Sequence, residues 1–276
     1  MAFSINVNAG ALSALRNLSD TNNELNTTQT RINTGLEVSS ARDNAAVFSI
    51  AQKLRGDLRG LSAVDQSLDR GISATDVALA AATAISDLLL ELKEKAVAAS
   101  DQGLDTSSRN ALAEDFQALR DQITSITANA EFNGTNLIDS GSDAIVAITN
   151  SDATQTLSVA HENLTLGSSN IVITATQGIS TQTTAADAVT DINQAIDNLN
   201  AVLTRLGSGA TALEQSRDFN ARLSDVIEVG IGNLVDADLA TESANLQALQ
   251  VRQQLGIQAL SIANQSPQQI LSLFQG

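Results

Sequence analysis

Apolar residues recur three and four positions apart over most of the chain, which is the spacing of helices that bury one side. The most regular run alternates these spacings without a break from Val189 to Leu213, and a longer run extends over residues 44 to 99. A third helix is expected after Asp105, because aspartate favours the N-cap position. The predicted fold class is mainly α, a long coiled-coil-like helical rod formed by the N- and C-terminal segments of the chain.

Two polar regions interrupt this helical pattern. The dipeptide Asn133-Gly134 is typical of a tight turn and is expected to end the third helix. Residues 141 to 184 are rich in Ser and Thr. They contain short β-branched runs at 145 to 149, 156 to 159 and 171 to 176. We expect a small β-hairpin region at the centre of the chain, and its acidic, hydroxyl-rich character predicts that it is exposed.

The N-terminal segment carries a coiled-coil-like stripe in which Leu18, Leu25 and Ile32 recur every seven residues. The same side of the helix is expected to include Ala11, Leu15 and Leu36, with Asn22 and Gln29 as polar interruptions. The many Asn and Thr residues around the stripe are poor helix formers. We therefore expect this segment to be disordered in the monomer.

The last helix has two apolar faces, about 200° apart at 100° per residue. One face is formed by Leu246, Leu249, Ile257 and Leu260. The other is formed by Ala248, Val251, Leu255, Ala259 and Ile262. Burying one leucine contributes about 1.5 to 3 kcal/mol, and a single neighbour does not cover both faces. A core helix of an ordinary globular domain is the alternative, but the near absence of charge favours packing against the N-terminal helix and against other copies of the chain.

Charge is distributed unevenly along the chain. The net charge is -16, of which residues 1 to 41 carry -1 and residues 239 to 276 carry none. Uncharged ends around an acidic, solvated middle indicate that the ends contact protein. The acidic balance also opposes binding to nucleic acid or to anionic membrane surfaces, so neither is an expected partner.

Residues that carry catalysis or metal binding are scarce. The chain has no cysteine, and its one histidine, His161, has no second histidine or cysteine to share a metal. Asp236, Asp238 and Glu242 lack the spacing of a calcium loop and are expected to be acids at a helix N-terminus. We expect no enzyme, no cofactor and no metal site. The N-terminus lacks the pattern of a secretory signal peptide, and no unbroken run approaches roughly 18 apolar residues, so neither a signal peptide nor a membrane span is expected.

Several motifs then resemble one family. They are Arg31-Ile-Asn-Thr-Gly35, Ala41-Arg-Asp-Asn-Ala-Ala46, Gly71-Ile-Ser73, Glu131-Phe-Asn-Gly134, Asn233-Leu-Val-Asp-Ala-Asp-Leu-Ala-Thr-Glu-Ser-Ala244, Leu246-Gln-Ala-Leu249, Gln253-Gln-Leu-Gly256 and Gln258-Ala-Leu-Ser-Ile-Ala-Asn-Gln265. Their order resembles bacterial flagellin, in a short form without the outer variable domains. The resemblance covers residues 1 to 138 and 185 to 274.

The resemblance implies a domain arrangement and a function. Residues 1 to 43 and 236 to 276 would form an inner-tube coiled-coil domain, 44 to 140 and 185 to 235 a helical rod domain, and 141 to 184 its β-rich exposed tip. The implied function is a structural subunit that polymerises into the bacterial flagellar filament for swimming motility. The alternative is the hook-filament junction protein, which resembles flagellin at both ends.

The resemblance also implies partners and a location. The chain would assemble with itself into an open helical homopolymer. It would bind a flagellar export chaperone through its C-terminal helix, and would meet the hook-filament junction and filament cap proteins. It would leave the cell through the flagellar type III export channel and lie outside it in the filament.

The sequence departs from the family pattern at two places. The usual Asp-Asp-Ala-Ala reads Asp43-Asn44-Ala-Ala, a small loss of charge that is not expected to change the fold. Residues 88 to 100 resemble the helix that the host Toll-like receptor for flagellin recognises, but Glu91 stands where an arginine is expected. A reversed charge at such a contact is costly, so we expect weak or no receptor activation.

Overall fold

A computed structural model describes residues 8 to 273, with side chains to residue 265. Within that part of the chain there are five helices, which confirms the mainly α fold class. They are α1 (Ala9–Thr34), α2 (Ala45–Ala99), α3 (Thr106–Asn129), α4 (Gln182–Val235) and α5 (Leu239–Leu273). Four short strands lie between α3 and α4: β1 (Glu131–Phe132), β2 (Thr135–Asn136), β3 (Ile145–Ile148) and β4 (Thr156–Val159).

The chain divides into two compact units. The terminal unit consists of Met1–Gly56 and Ile227–Gly276, and the central unit is Asp57–Val226. The terminal unit is larger than the predicted inner domain, because the first turns of α2 and the last turns of α4 close a small apolar core there. Its buried members are Val38, Ala51, Ile231 and Val235.

The central unit is built around a core to which α2, α3 and α4 all contribute. Its largest fully buried side chains include Leu68, Ile85 and Leu89 of α2 and Phe116 and Ile123 of α3. From α4, the regular three-and-four pattern delivers Ala188, Ile192, Ala195, Leu199, Val202, Leu206 and Leu213 to the same core. The predicted apolar side of α4 is therefore its buried side.

Local sequence signals set the start of α3 and the turn that follows its end. Asp105 is the N-cap, as predicted, and its Oδ1 accepts a hydrogen bond from the Ser108 backbone N–H at 3.0 Å. This bond, followed by the bond from the Ser108 hydroxyl, lowers the pKa of Asp105 below its ordinary value of 3.8. Beyond α3, Asn133 (φ 51°) and Gly134 (φ 84°) form the tight turn between β1 and β2. Positive φ at both positions is the requirement that Asn-Gly meets.

The segment from 141 to 184 corrects two expectations. The first two β-branched runs form the antiparallel pair β3 and β4, but the third run, at 171 to 176, forms no strand. Its backbone carbonyls are taken by other donors: the Gly167 N–H contacts the Ile171 and Ile173 oxygens at 2.9 and 2.8 Å. The segment is also not simply exposed, because Ile171, Ile173 and Ile179 are fully buried in the core of the central unit.

Polar side chains also hold this segment to the helices. Glu162 is 8% exposed, and the Arg205 guanidinium of α4 donates two hydrogen bonds to its carboxylate, one of them at 2.7 Å. Arg120 of α3 donates to the Thr174 and Ala175 carbonyls. These contacts join residues tens of positions apart, so no local sequence pattern predicts them.

Helix glycines make room for the loop and strands of the β3 and β4 hairpin. A Cβ atom at Gly60 of α2 would lie 2.8 Å from Ser151 Cβ and 2.9 Å from its carbonyl oxygen. A Cβ atom at Gly209 of α4 would lie 3.0 Å from both methyl groups of Val159. The hairpin therefore packs closely onto α2 and α4 at positions where a side chain is absent.

Among the helices that the structure describes, one is long and apolar enough, by length and composition, to cross a membrane. It is α2, in which a window reaches a mean hydropathy of 1.4 and is 44% buried. A search for unbroken apolar runs in the sequence does not identify α2, because polar residues interrupt the window. Core helices of soluble proteins also meet this criterion, and α2 supplies Leu68, Ile85 and Leu89 to the core of the central unit.

Candidate assembly surface

The predicted stripe of α1 lies against α5 in the terminal unit. Leu25 is 8% exposed, and Leu18 and Ile32 are half-buried on the same side. The expectation that Leu15 belongs to this side is wrong, because it is 52% exposed. Gln29 is exposed as well, whereas Asn22 lies at the contact. The spacing of three and four is kept by Ala11 and Ala14, which lead to Leu18, and Leu15 lies outside it.

Polar contacts join α1 and α5 at three levels, and they show that the helices run antiparallel. Asn8 Nδ2 donates to the Ala263 carbonyl at 2.7 Å, and Gln253 Nε2 donates to Asn22 Oδ1 at 2.7 Å. At the opposite end, Arg31 Nη1 donates to Glu242 Oε1 at 2.9 Å. The sequence-based expectation placed Glu242 among acids at a helix N-terminus, and the structure adds a specific cation partner.

The first apolar face of α5 is only partly the side that contacts α1. Leu249 is 6% exposed and Leu246 and Leu260 are half-buried, but Ile257 is 55% exposed. The α1-facing side continues instead through Gln253 and Gly256, which keep the alternation of four and three. At Gly256 an added Cβ would lie 3.2 Å from Leu18 Cδ1, so the missing side chain allows a close approach of the helices.

The second apolar face of α5 is uncovered in the described chain. Val251, Leu255 and Ile262 are 55%, 58% and 70% exposed, and Ala248 and Ala259 are exposed beside them. A polar row that includes Gln254 separates this face from Ile257, at 100° per residue. We call these five residues the open face of α5. Contiguous exposed apolar residues of this kind mark interaction surfaces.

The segments that flank α1 and α5 pair with each other. The N–H groups of Glu37 and Val38 contact the Val235 carbonyl at 2.7 and 3.3 Å, and the Ala237 N–H contacts the Gly35 carbonyl at 2.9 Å. Gly35 has φ 71° and caps α1 in the left-handed conformation that glycine allows. This pairing holds one end of the α1 and α5 pair together.

Asp side chains stabilise the same segments. Asp43 accepts hydrogen bonds from the backbone and hydroxyl groups of Ser39 and Ser40, and the Ser40 backbone bond does most to lower its pKa. Asp238 caps α5, and the Thr241 hydroxyl does most to lower the pKa of its carboxyl. Lowered pKa values at these positions are explained by capping, with no need for a catalytic role.

A groove of about 480 Å³ lies beside the Arg31–Glu242 contact. It is lined mainly by polar and charged residues of α1 and α5, among them Glu24, Arg31, Glu242 and Arg252. In the described residues no group of three or more His, Cys, Asp or Glu side chains is placed to hold a metal ion. In the central unit, Glu91 is exposed on α2, as a surface contact residue would be.

Comparisons with known proteins agree with the motifs. Two family models match, the bacterial flagellin N-terminal helical region over residues 5–144 and the bacterial flagellin C-terminal helical region over residues 189–274. Flagellin FljK of Caulobacter vibrioides is 46% identical over 278 residues, covering 99% of this chain and 98% of the relative. The flagellin of Brucella melitensis is 35% identical over 282 residues, covering 99% of each.

Two solved structures share the fold at low identity. A crystal structure of Bacillus cereus flagellin has a TM-score of 0.50 and 19% identity, over 56% of this chain and 88% of that one. A putative flagellar hook-associated protein from Vibrio parahaemolyticus has a TM-score of 0.58 and 11% identity, over 70% of this chain and all of that one. These likenesses concern the fold alone, so the choice between the two functions rests on the full-length relatives. The chain belongs to the bacterial flagellin family, which confirms the expected filament subunit and disfavours the junction protein.

Proposed function

We propose that this filament subunit joins its neighbours through the open face of α5, forming an open helical homopolymer. The observation that carries the proposal is the exposure of Val251, Leu255 and Ile262 on a helix whose other apolar side already contacts α1. Contacts between unlike surfaces that do not close into a ring generate an open polymer.

The predicted packing residues divide between contacts within one chain and contacts between chains. Pairing within one chain uses Leu18, Leu25, Ile32, Leu246, Leu249 and Leu260. Contacts between chains use Val251, Leu255 and Ile262. Ile257 is exposed at the edge of the α1-facing side, and the polar row separates it from the open face.

The domain assignment follows from this proposal. Residues 1 to 43 and 236 to 276 form the inner domain that lines the filament tube. They carry a net charge of -3 out of -16, and this low share supports contacts with protein on several sides. Residues 44 to 140 and 185 to 235 form the helical rod domain. Residues 141 to 184 form its tip, with one side packed into the core and the other in water.

The α1 and α5 pair is proposed to be disordered in the isolated chain and to become helical on assembly. Only Leu25 and Thr28 of α1 are buried, and its Asn and Thr content disfavours an isolated helix. Hydrogen exchange measured by mass spectrometry tests this proposal. Amides of α1 and α5 should exchange within seconds in the isolated chain and become protected in filaments. Equal protection in the two states would contradict it.

Export and partners follow from the same disorder. An unfolded α5 with apolar residues on two sides is suited to an export chaperone that covers it before the chain enters the type III channel. In the assembled filament, which lies outside the cell, the first and last subunits would meet the junction and cap proteins. Binding of the export chaperone to the full chain, but not to a chain truncated after residue 238, is the expected result by isothermal calorimetry.

Receptor recognition is proposed to be weak because Glu91 is exposed and reverses the charge of the expected arginine. Replacing Glu91 with arginine should raise activation of a Toll-like receptor reporter cell line by about tenfold or more. Glu94→Arg, a neighbouring exposed change on α2, is the matched control. Strong activation by the unchanged protein would contradict the proposal.

Seeded growth tests the function itself. Purified protein added to filament fragments should elongate them continuously, as seen by electron microscopy. Growth that stops after a short ring would indicate a junction protein instead.

A further inference from the structure

We propose that the Arg31–Glu242 ion pair fixes the register in which α1 pairs with α5. The inference extends the proposed function, because the register sets which residues of the open face of α5 are level with each turn of α1 along the helix axis. Its test measures register directly. It is made on chains within filaments, where the two helices are proposed to be ordered, and on isolated chains for comparison.

The apolar contacts alone leave the register undetermined. Leu18, Leu25 and Ile32 recur every seven residues, so sliding α1 by seven positions brings one large apolar residue to the place of another. Small residues such as Ala11 occupy the rest of the contact side. Repeats of this kind are degenerate under heptad shifts, and coiled coils use polar contact residues to select one register.

The ion pair removes this degeneracy. Glu242 is 8% exposed, and Arg31 is its cation partner at 2.9 Å, so a register that lacks Arg31 leaves a buried carboxylate without a partner. Seven residues before Arg31 the chain has Glu24, and seven residues after it Val38. A slip in one direction therefore places two carboxylates together, and a slip in the other places an apolar side chain beside Glu242.

The hydrogen bond between the Gln253 and Asn22 side chains discriminates less between registers. Gln253 donates to Asn22 in the observed register. A seven-residue slip replaces Asn22 with Gln29 in one direction, which still offers an acceptor, and with Leu15 in the other. The Arg31–Glu242 pair is thus the side-chain contact between the helices that penalises both slips. It acts at the end where the Ala237 N–H to Gly35 and Val38 N–H to Val235 backbone bonds hold the same alignment.

The absence of cysteine from the sequence makes the register measurable by disulfide trapping. A Cβ atom at position 256 would lie 3.8 Å from Leu18 Cβ, within the range of about 3.5 to 4.5 Å that a disulfide requires. Leu18→Cys with Gly256→Cys therefore reports the observed register. Ala11→Cys with Gly256→Cys and Leu18→Ala reports the slip that brings Glu24 to Glu242, and both reporters lack the leucine side chain.

The decisive variant is Glu242→Arg, made in both reporters. It repels Arg31 in the observed register and attracts Glu24 in the slipped one. In the unchanged background, the observed-register disulfide should exceed the slipped one by at least about tenfold, which corresponds to 1.4 kcal/mol. With Glu242→Arg the slipped disulfide should become the more abundant. Gln247→Arg, on the exposed polar side of α5, should leave the ratio unchanged.

Trapping is done on the isolated chain and again on chains incorporated as a minor component into filaments of the unmodified protein. The two reporters close loops of nearly equal length, so random collisions give a ratio near one. A ratio near one in both states of the unchanged background would overturn the proposal. So would a Glu242→Arg chain that keeps the observed register, or one that forms neither disulfide above the random level, since the pair would then support pairing without selecting register. Failure of the unmodified protein to grow filaments would refute the proposed function, whereas filaments that grow with a trapping ratio near one would refute the register proposal alone.

Discussion

Replacing Leu255 with aspartate is the most informative perturbation of the open face. Leu255 is 58% exposed in the single chain, so the change removes little that the chain itself buries. Full burial of leucine contributes about 1.5 to 3 kcal/mol, and the exposed part accounts for about 0.9 to 1.7 kcal/mol of that on assembly. An aspartate in the same contact adds at least about 1 to 3 kcal/mol for an unpaired polar group.

The two contributions together predict a loss of about 2 to 5 kcal/mol per subunit contact. In a polymer that grows at its end, the soluble concentration at equilibrium is the dissociation constant of one subunit. It should therefore rise by about 30-fold to several thousandfold. Filament seeds are incubated with each protein and sedimented, and the soluble fraction is measured. Circular dichroism checks that the central helices remain folded.

Gln254→Asp provides the matched control. It introduces the same charge one residue away, on the polar side of α5. Its soluble concentration should stay within about threefold of the unchanged protein, the scale of a surface substitution. If Leu255→Asp assembles like the unchanged protein, or if both variants fail equally, the open face does not join subunits.

Three further predictions concern the central unit, each measured by urea unfolding. Gly60→Ala should destabilise the central unit by about 1 to 3 kcal/mol, because the new methyl group meets the backbone of Ser151. Gly207→Ala should stabilise it by about 0.5 to 1 kcal/mol, because a Cβ at that position has nothing within 4 Å. Equal effects of the two substitutions would contradict close packing at Gly60. Arg205→Ala should lower the free energy of unfolding by about 1 to 3 kcal/mol, because it leaves the Glu162 carboxylate buried and unpaired. The loss is smaller than for a fully buried ion pair because the arginine side chain is half exposed. An unchanged urea midpoint would refute this role of Arg205. The pKa of Asp105 is lowered in the folded state, so its contribution to stability is complete above pH 3.8 and is lost as pH falls through the folded pKa. Asp105→Asn should therefore make the free energy of unfolding depend less on pH in acid. An unaltered slope of stability against pH would contradict this role of Asp105.

The parts of the fold that follow from short-range patterns were predictable. The apolar alternation from Val189 to Leu213 marks the buried side of α4, and Asn133-Gly134 forms the expected turn. A cap such as Asp105 is equally local, because its partner is three residues away. In each case one helical turn or one dipeptide contains the whole physical cause.

Errors arose where the cause lies elsewhere in the chain. Residues 171 to 176 have the composition of a strand, but a neighbouring turn and Arg120 take their carbonyls. The hydrophobicity of Leu15 predicts that it lies on the contact side of α1, but alanines keep the observed spacing there and Leu15 is exposed. Pairing of Arg31 with Glu242 was equally invisible, because it depends on how two helices at opposite ends of the sequence align.

The environment of the open face of α5 in the assembled filament decides whether this surface joins subunits. A reconstruction of the filament by electron cryomicroscopy shows which side chains contact another copy of the chain. We expect Val251, Leu255 and Ile262 to be buried against a second copy. Finding these three side chains exposed to solvent in the filament would contradict it.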